Sequence, residues 1–144
     1  MTPATGTAAA RLGAQPLLLT VTGAAALLVN LAVYAAGRTA GVEFDVVSFI
    51  GNRPETVGPR AIAVMTVVPW LVGGVLLELS RRNAATVWPW LGWSGVALAV
   101  VMVPFFNDAE PVTKLTLAVM HLVVGSMWFA AVHHLARQRR LLGA

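Results

Sequence analysis

Four apolar stretches, each long enough to cross a lipid bilayer, make up most of this chain. Charged residues account for only 11% of its 144 residues and hydrophobic residues for 58%. A soluble domain carries about twice that share of charge, and a bilayer core of about 30 Å needs about 20 apolar residues per helix. The sequence therefore predicts an all-α membrane protein. The predicted spans are residues 16–36, 61–79, 86–106 and 112–135.

The connections between these stretches predict an up-down four-helix transmembrane bundle, because helices joined by a few residues pack as antiparallel neighbours. This four-span domain covers residues 16–140, and residues 1–15, which are small and polar, are predicted to be a disordered N-terminus. The long connection, residues 37–60, predicts either a short β hairpin or a segment lying at the membrane interface. A cleaved signal peptide is the alternative for the first stretch, although its apolar run exceeds a usual signal core.

The distribution of basic residues predicts the orientation. With four spans, both termini and the turn at residues 80–85 share one side, which carries six arginines (Arg11, Arg81, Arg82, Arg137, Arg139 and Arg140). The other side carries four basic residues spread over more loop (Arg38, Arg53, Arg60 and Lys114). The positive-inside rule then places both termini in the cytoplasm and the long loop outside. The expected location is a bacterial inner membrane, as a multi-pass protein.

Several kinds of chemistry have no support in this sequence. The chain has no cysteine, which excludes disulfides and thiol chemistry. It shows no phosphate-binding loop, paired carboxylates or nucleophile elbow, and its histidines are too far apart along one helix for a shared metal or haem. The sequence predicts no cofactor, no metal, no catalytic residue and no nucleic-acid partner. The expected partners are the lipid bilayer and either further copies of the chain or another membrane protein.

Polar side chains in three of the spans are predicted to share one depth. At about 1.5 Å per residue, Asn30 lies about 9–10 Å, Thr66 about 8 Å and His121 about 9–13 Å from the outer end of its span. Each shares a helical stripe with small or aromatic residues, as an inward face of a membrane bundle does. The predicted layer contains His121, Asn30 and Thr66, with Tyr34 and Trp70 as further candidate contacts.

Two interpretations of this layer are open. In the first, the three polar groups form an interhelical hydrogen-bond clasp, in which each bond contributes about 1 kcal/mol. In the second, they line a ligand-binding pocket in which His121 accepts a proton or contacts the ligand, since an ionisable group inside a membrane is by default a functional hypothesis. Imidazole changes charge near neutral pH, which suits such a role.

The later spans carry the resemblance to a known family. The segments VVPWLVGGVLLELSRR, TVWPWLGWSG and AVMHLVVGSMW together resemble a bacterial family of small four-span membrane proteins, domain of unknown function 6069. The resemblance covers the chain from about Pro16 to Arg140, and Met120-His121-Leu122 is its most specific element. It implies four spans and singles out His121, but it implies no substrate or mechanism.

The leading hypothesis is a non-enzymatic binding or accessory membrane subunit. The first alternative is a lipid- or quinone-handling protein or enzyme that uses a pocket at His121. The second is a transporter or channel protomer, which is disfavoured because the core of every span lacks Asp and Glu. The long loop discriminates between the first two: packed over Asn30 and His121 it favours a ligand pocket, and projecting freely it favours docking of a partner.

Overall fold

The computed structural model describes residues 6–47, 53–102 and 109–141, with side chains from Gln15 onward. Within these residues four helices are long and apolar enough to cross a membrane. They are α1 (Gly6–Thr39), α2 (Pro59–Leu79), α3 (Ala84–Val101) and α4 (Pro111–Leu141). A single 3-10 turn, Arg81–Asn83, joins α2 to α3. The architecture confirms the predicted four-helix fold, and the apolar helices fit a multi-pass membrane protein.

Two helix boundaries differ from the prediction. Helix α1 begins at Gly6, so residues 6–15, which were predicted to be disordered, are helical. Alanine has the highest helix propensity, and an alanine-rich segment joined to a long helix extends it readily. Helix α4 continues to Leu141, which makes the arginine-rich tail part of the helix. The end of the predicted third span, residues 103–106, lies outside the described residues.

The long connection contains the predicted β hairpin. Strand β1 (Asp45–Val47) pairs antiparallel with β2 (Pro54–Thr56), with Asp45 opposite Thr56. Its tip, residues 48–52, lies outside the described residues. The segment before the hairpin packs on the bundle, since Val42 and Phe44 are buried against Ile62, Leu117 and Met120. We call this group the cap cluster, and the end of the bundle that it covers the loop end.

Three buried tryptophan side chains join each of the later helices to the one before it. The indole N–H of Trp70 in α2 donates to the Leu19 carbonyl of α1, at 2.9 Å. In the same way Trp88 in α3 donates to Leu77 of α2 at 3.1 Å. Trp128 in α4 donates to Leu91 of α3 at 2.7 Å. A buried indole N–H needs an acceptor, and here each acceptor is a carbonyl of the preceding helix.

Glycines make room for these rings. A Cβ atom on Gly23 would lie 2.7 Å from the Trp70 indole nitrogen, and Gly73 and Gly95 both leave space for the Trp128 ring. Helices α3 and α4 approach closely at Gly125, where a Cβ atom would lie 2.8 Å from the carbonyl oxygen of Gly95. Small residues permit such contacts between helix backbones in membranes.

Candidate functional site

Asn30 and Thr66 form a buried polar pair between α1 and α2. Both are almost inaccessible, at 3% and 2% exposure. The amide nitrogen of Asn30 donates a hydrogen bond to the hydroxyl oxygen of Thr66, at 3.1 Å. Neither side chain is near an end of its helix, so the pair lies within the apolar part of both spans. The structure thus brings together two of the three residues in the predicted polar layer.

The second polar atom of Asn30 is not satisfied. Its carbonyl oxygen Oδ1 is buried and has no hydrogen-bond partner among the residues that the structure describes. An unpaired buried acceptor costs about 1–3 kcal/mol because it has lost its water without gaining a donor. The hydrogen bond to Thr66 therefore satisfies only the nitrogen of the Asn30 amide and leaves its oxygen without a donor.

Aromatic side chains lie next to the Asn30–Thr66 pair on the side toward the middle of the bundle. Trp70 lies one turn beyond Thr66 on the same face of α2 and is 7% exposed. Its ring meets Trp128 edge-on, with 5.4 Å between the ring centroids. Trp70, a candidate ligand contact, thus holds a fixed position through its ring packing and its N–H bond to Leu19.

The cap cluster bounds the pair on the other side. Ile62, one turn before Thr66 on α2, is a member of this cluster, and Leu31 and Tyr34 of α1 pack against it. Phe44 has no exposed surface, and its ring centroid lies 4.8 Å from that of Tyr34. The described part of the loop therefore packs on the bundle one helical turn from Asn30 and does not project freely.

Phe44 has an unusual backbone conformation. Its φ angle is +63°, in the left-handed region that bulky residues rarely adopt. A backbone in such a region costs about 1–3 kcal/mol. The surroundings hold it there: the carbonyl of Phe44 accepts a hydrogen bond from the Val57 N–H at 2.9 Å, and its ring lies against Gly37. The sequence analysis did not single out Phe44, although the alternation of Val42, Phe44 and Val46 in a loop was a signal of packing.

His121, the third member of the predicted polar layer, lies on α4. Its Nδ1 is 2.8 Å from the carbonyl of Leu117, one turn earlier in the same helix, so Nδ1 carries the proton in this contact. The side chain is half-buried. It shares its face of α4 with Gly125, which packs on α3 beside Gly95 and Ala99.

The two clefts described for this chain lie away from Asn30. One, of about 460 Å³, is lined by charged residues where the α2–α3 turn meets the last turns of α4. The other, of about 330 Å³, is a mostly apolar groove between α1 and α4. It is lined by Leu18, Thr22, Met127, Ala130, Ala131 and His134. Among the described residues no group of three or more His, Asp or Glu could hold a metal ion.

Comparison with known proteins gives a family but no characterised relative. A family described as "Family of unknown function (DUF6069)" matches residues 8–138. No curated protein and no solved structure shows significant similarity to the chain. Any function must therefore be argued from the geometry of this molecule.

Proposed function

The chain belongs to the DUF6069 family, a family of unknown function, and from the geometry of its loop end we propose that it is a non-catalytic membrane-embedded binding protein. Its ligand is a small, mostly apolar molecule with one hydrogen-bond donor, such as a lipid alcohol or a quinol. The ligand's hydroxyl donates to Oδ1 of Asn30, and its apolar part packs among the cap cluster and Trp70.

The unpaired Oδ1 of Asn30 is the observation that carries this proposal. The atom lies in the apolar part of the bundle, where no bulk solvent competes for it. A donor that reaches it removes the cost of about 1–3 kcal/mol that the unpaired acceptor imposes. Because the amide nitrogen is held by Thr66, the carbonyl oxygen has a fixed position, which lowers the entropy lost on binding.

Phe44 supports the proposal because it gives the ligand a way in. The side chain covers the loop end of the bundle, and its left-handed backbone stores part of the free energy needed to open the cap. Strain of this kind is commonly found where a segment moves to admit a ligand. In the proposed mechanism Phe44 swings away from Tyr34 and Gly37, and the ligand enters beneath it.

The other hypotheses have less support. A transporter or channel protomer needs a path through the bundle or between copies. Trp70 and Trp128 pack against each other inside this bundle and occupy the space that a path through it would need. The described hydrogen bond of His121 satisfies Nδ1 within its own helix, which suits a structural role as well as a functional one. The strongest competitor is a purely structural clasp, in which a water molecule satisfies Asn30.

Ligand-induced stabilisation in lipid nanodiscs tests the proposal. The probes are decylubiquinol and dioctanoylglycerol, both hydroxyl donors, and the matched control is decylubiquinone, which has the same tail without the hydroxyls. We expect both donors to raise the melting temperature of the wild type and the quinone to leave it unchanged. The response should disappear in Asn30→Leu and persist in Thr22→Val, whose hydroxyl bonds only its own helix.

Two results would contradict the proposal. One is a wild-type protein that no donor stabilises, together with an Asn30→Leu variant that is less stable than the wild type, which would identify the pair as a purely structural clasp. The other is equal stabilisation by the quinol and the quinone, which would show that the hydroxyl makes no specific contact.

A further inference from the structure

Three arginines converge at the end of the bundle opposite the cap. Arg81 and Arg82 belong to the 3-10 turn, and Arg139 comes from the last turns of α4. Together with Glu78 and Leu79 they line the open cleft of about 460 Å³, which we call the basic cleft. Three guanidinium groups thus face a single carboxylate.

Arg139 is held in place before any ligand arrives. Its guanidinium carbon lies 4.5 Å from the centroid of the Trp88 ring. Its nitrogens donate to Oε1 of Gln15 at 3.1 Å and to the carbonyl of Arg81 at 3.5 Å. The side chain therefore joins α1, the 3-10 turn and α4. A guanidinium fixed in this way loses little conformational entropy when it binds an anion.

The single carboxylate does not balance these charges. Glu78 pairs with Arg81 at 3.1 Å, but both side chains are largely exposed. An exposed ion pair is weak, and an anion of higher charge density can displace it. Arg82 is also exposed on the same turn. The cleft therefore has excess positive charge within reach of an incoming ligand.

The position of the cleft indicates the source of that ligand. Leu79 is 77% exposed, lines the cleft and ends the apolar helix α2. The cleft thus opens where the apolar surface of the bundle gives way to charge, which is the level of the lipid headgroups. Guanidinium groups match phosphate oxygens in geometry and charge, and basic pockets between transmembrane helices bind anionic headgroups.

We propose that the basic cleft binds the phosphate group of an anionic phospholipid. Arg81 and Arg82 contact the phosphate oxygens, Arg139 supplies fixed positive charge behind them, and the acyl chains lie against Leu79 and the exposed face of α2. The site lies at the opposite end of the bundle from Asn30, so the inference goes beyond the proposed function and does not depend on it.

Lipid retention measured by native mass spectrometry tests this site. The full-length protein is placed in nanodiscs that contain equal amounts of phosphatidylglycerol and phosphatidylcholine. We expect the wild type to retain phosphatidylglycerol preferentially. An arginine near the membrane surface contributes about 1 kcal/mol to this attraction, so Arg82→Gln should lower the preference about fivefold.

Arg137→Gln is the matched control, because Arg137 is an exposed arginine of α4 that does not line the cleft. It should keep the wild-type preference. Equal loss in Arg82→Gln and Arg137→Gln would overturn the proposal, since only the overall charge would then matter. Arg139→Lys keeps the charge but removes the planar guanidinium group that holds this charge in a fixed position. An unchanged preference for phosphatidylglycerol in this variant would overturn the role proposed for Arg139.

A separate experiment distinguishes binding of an anionic lipid from binding of free phosphate. The protein in pure phosphatidylcholine nanodiscs is titrated with inorganic phosphate while its melting temperature is followed. We expect no stabilisation at millimolar phosphate, whereas added phosphatidylglycerol raises the melting temperature. Stabilisation by inorganic phosphate that is lost in Arg82→Gln would assign the cleft to a soluble phosphate and overturn the lipid proposal.

Discussion

The ring of Trp128 occupies the space that a Cβ atom on Gly73 would need. This contact brings a large side chain of α4 against the backbone of α2 in the middle of the bundle. The next residue, Gly74, has no such neighbour, since a Cβ atom there would meet nothing within 4 Å. Two adjacent glycines of one helix therefore have different roles, which a pair of alanine substitutions can separate.

Gly73→Ala is expected to destabilise the protein by about 1–3 kcal/mol, because the Trp128 ring must move out of an overpacked site. Gly74→Ala should be neutral or stabilising by up to about 1 kcal/mol, since alanine is the better helix former. Unfolding by sodium dodecyl sulfate in mixed micelles measures both changes. Equal effects of the two substitutions would show that Trp128 does not pack against Gly73.

The hydrogen bond between Asn30 and Thr66 can be tested by removing its acceptor. Thr66→Val keeps the shape of the side chain but leaves the Asn30 amide without a partner, at a cost of about 1–3 kcal/mol. Thr22→Val removes a hydroxyl that bonds the Leu18 and Leu19 carbonyls of its own helix, at 2.7 and 3.3 Å, and should cost less than about 1 kcal/mol. The same unfolding assay compares them. A Thr66→Val variant as stable as Thr22→Val would contradict the buried pair.

Phe44 is expected to control the stability of the loop end. Phe44→Ala removes the centre of the cap cluster and should speed amide hydrogen exchange at Val57, whose N–H bonds the Phe44 carbonyl. Loss of a buried phenylalanine costs about 3 kcal/mol or more, so exchange should rise at least about a hundredfold. Trp90→Ala, which removes a side chain that is 74% exposed, should leave this exchange unchanged. Unchanged exchange in Phe44→Ala would show that Phe44 does not hold the cap.

The orientation predicted from the basic residues can be tested directly, because the chain has no cysteine of its own. Glu55→Cys places a thiol on the exposed hairpin, and Asn83→Cys places one on the exposed α2–α3 turn. We expect a membrane-impermeant maleimide added to intact cells to label the first variant, and to label the second only after the membrane that holds the protein is opened. The reverse labelling pattern would show the opposite orientation.

The sequence was sufficient to predict the four helices, because the length and low charge of each span constrain them strongly. The hairpin was predictable from turn-forming residues around a β-branched segment. The helix ends were less predictable. Helix α1 begins at Gly6 because helix propensity and the continuation of a long helix outweigh the polar composition of residues 6–15.

The candidate site was only partly predictable. Depth and helical face were enough to place Asn30 near Thr66, because both quantities follow from position along a helix. The environment of His121 also depends on how α4 is rotated against α3, which is set by contacts such as that between Gly125 and Gly95. The ligand-binding roles predicted for His121, Asn30 and their neighbours stay predictions.

Contacts between distant segments could not be read from the sequence. Trp88 stands near the start of its helix, where a tryptophan commonly lies at the membrane boundary, but it is 2% exposed because Arg139 and the end of α2 enclose it. Arg139 itself was interpreted only as a signal of orientation. Its contact with Gln15 joins residues near the two ends of the chain, and no local pattern indicates such a pairing.

The direction of the tryptophan hydrogen bonds has a consequence for biogenesis. Each indole donor lies on a later helix, and each acceptor carbonyl lies on the helix synthesised just before it. A carbonyl already bonded within its helix has a second lone pair to offer. When a new span leaves the translocon, its donor therefore finds the acceptor already in the lipid. The bundle can assemble in the order of translation, and these three indole N–H groups need not wait unpaired in hydrocarbon for a helix that has not yet been made.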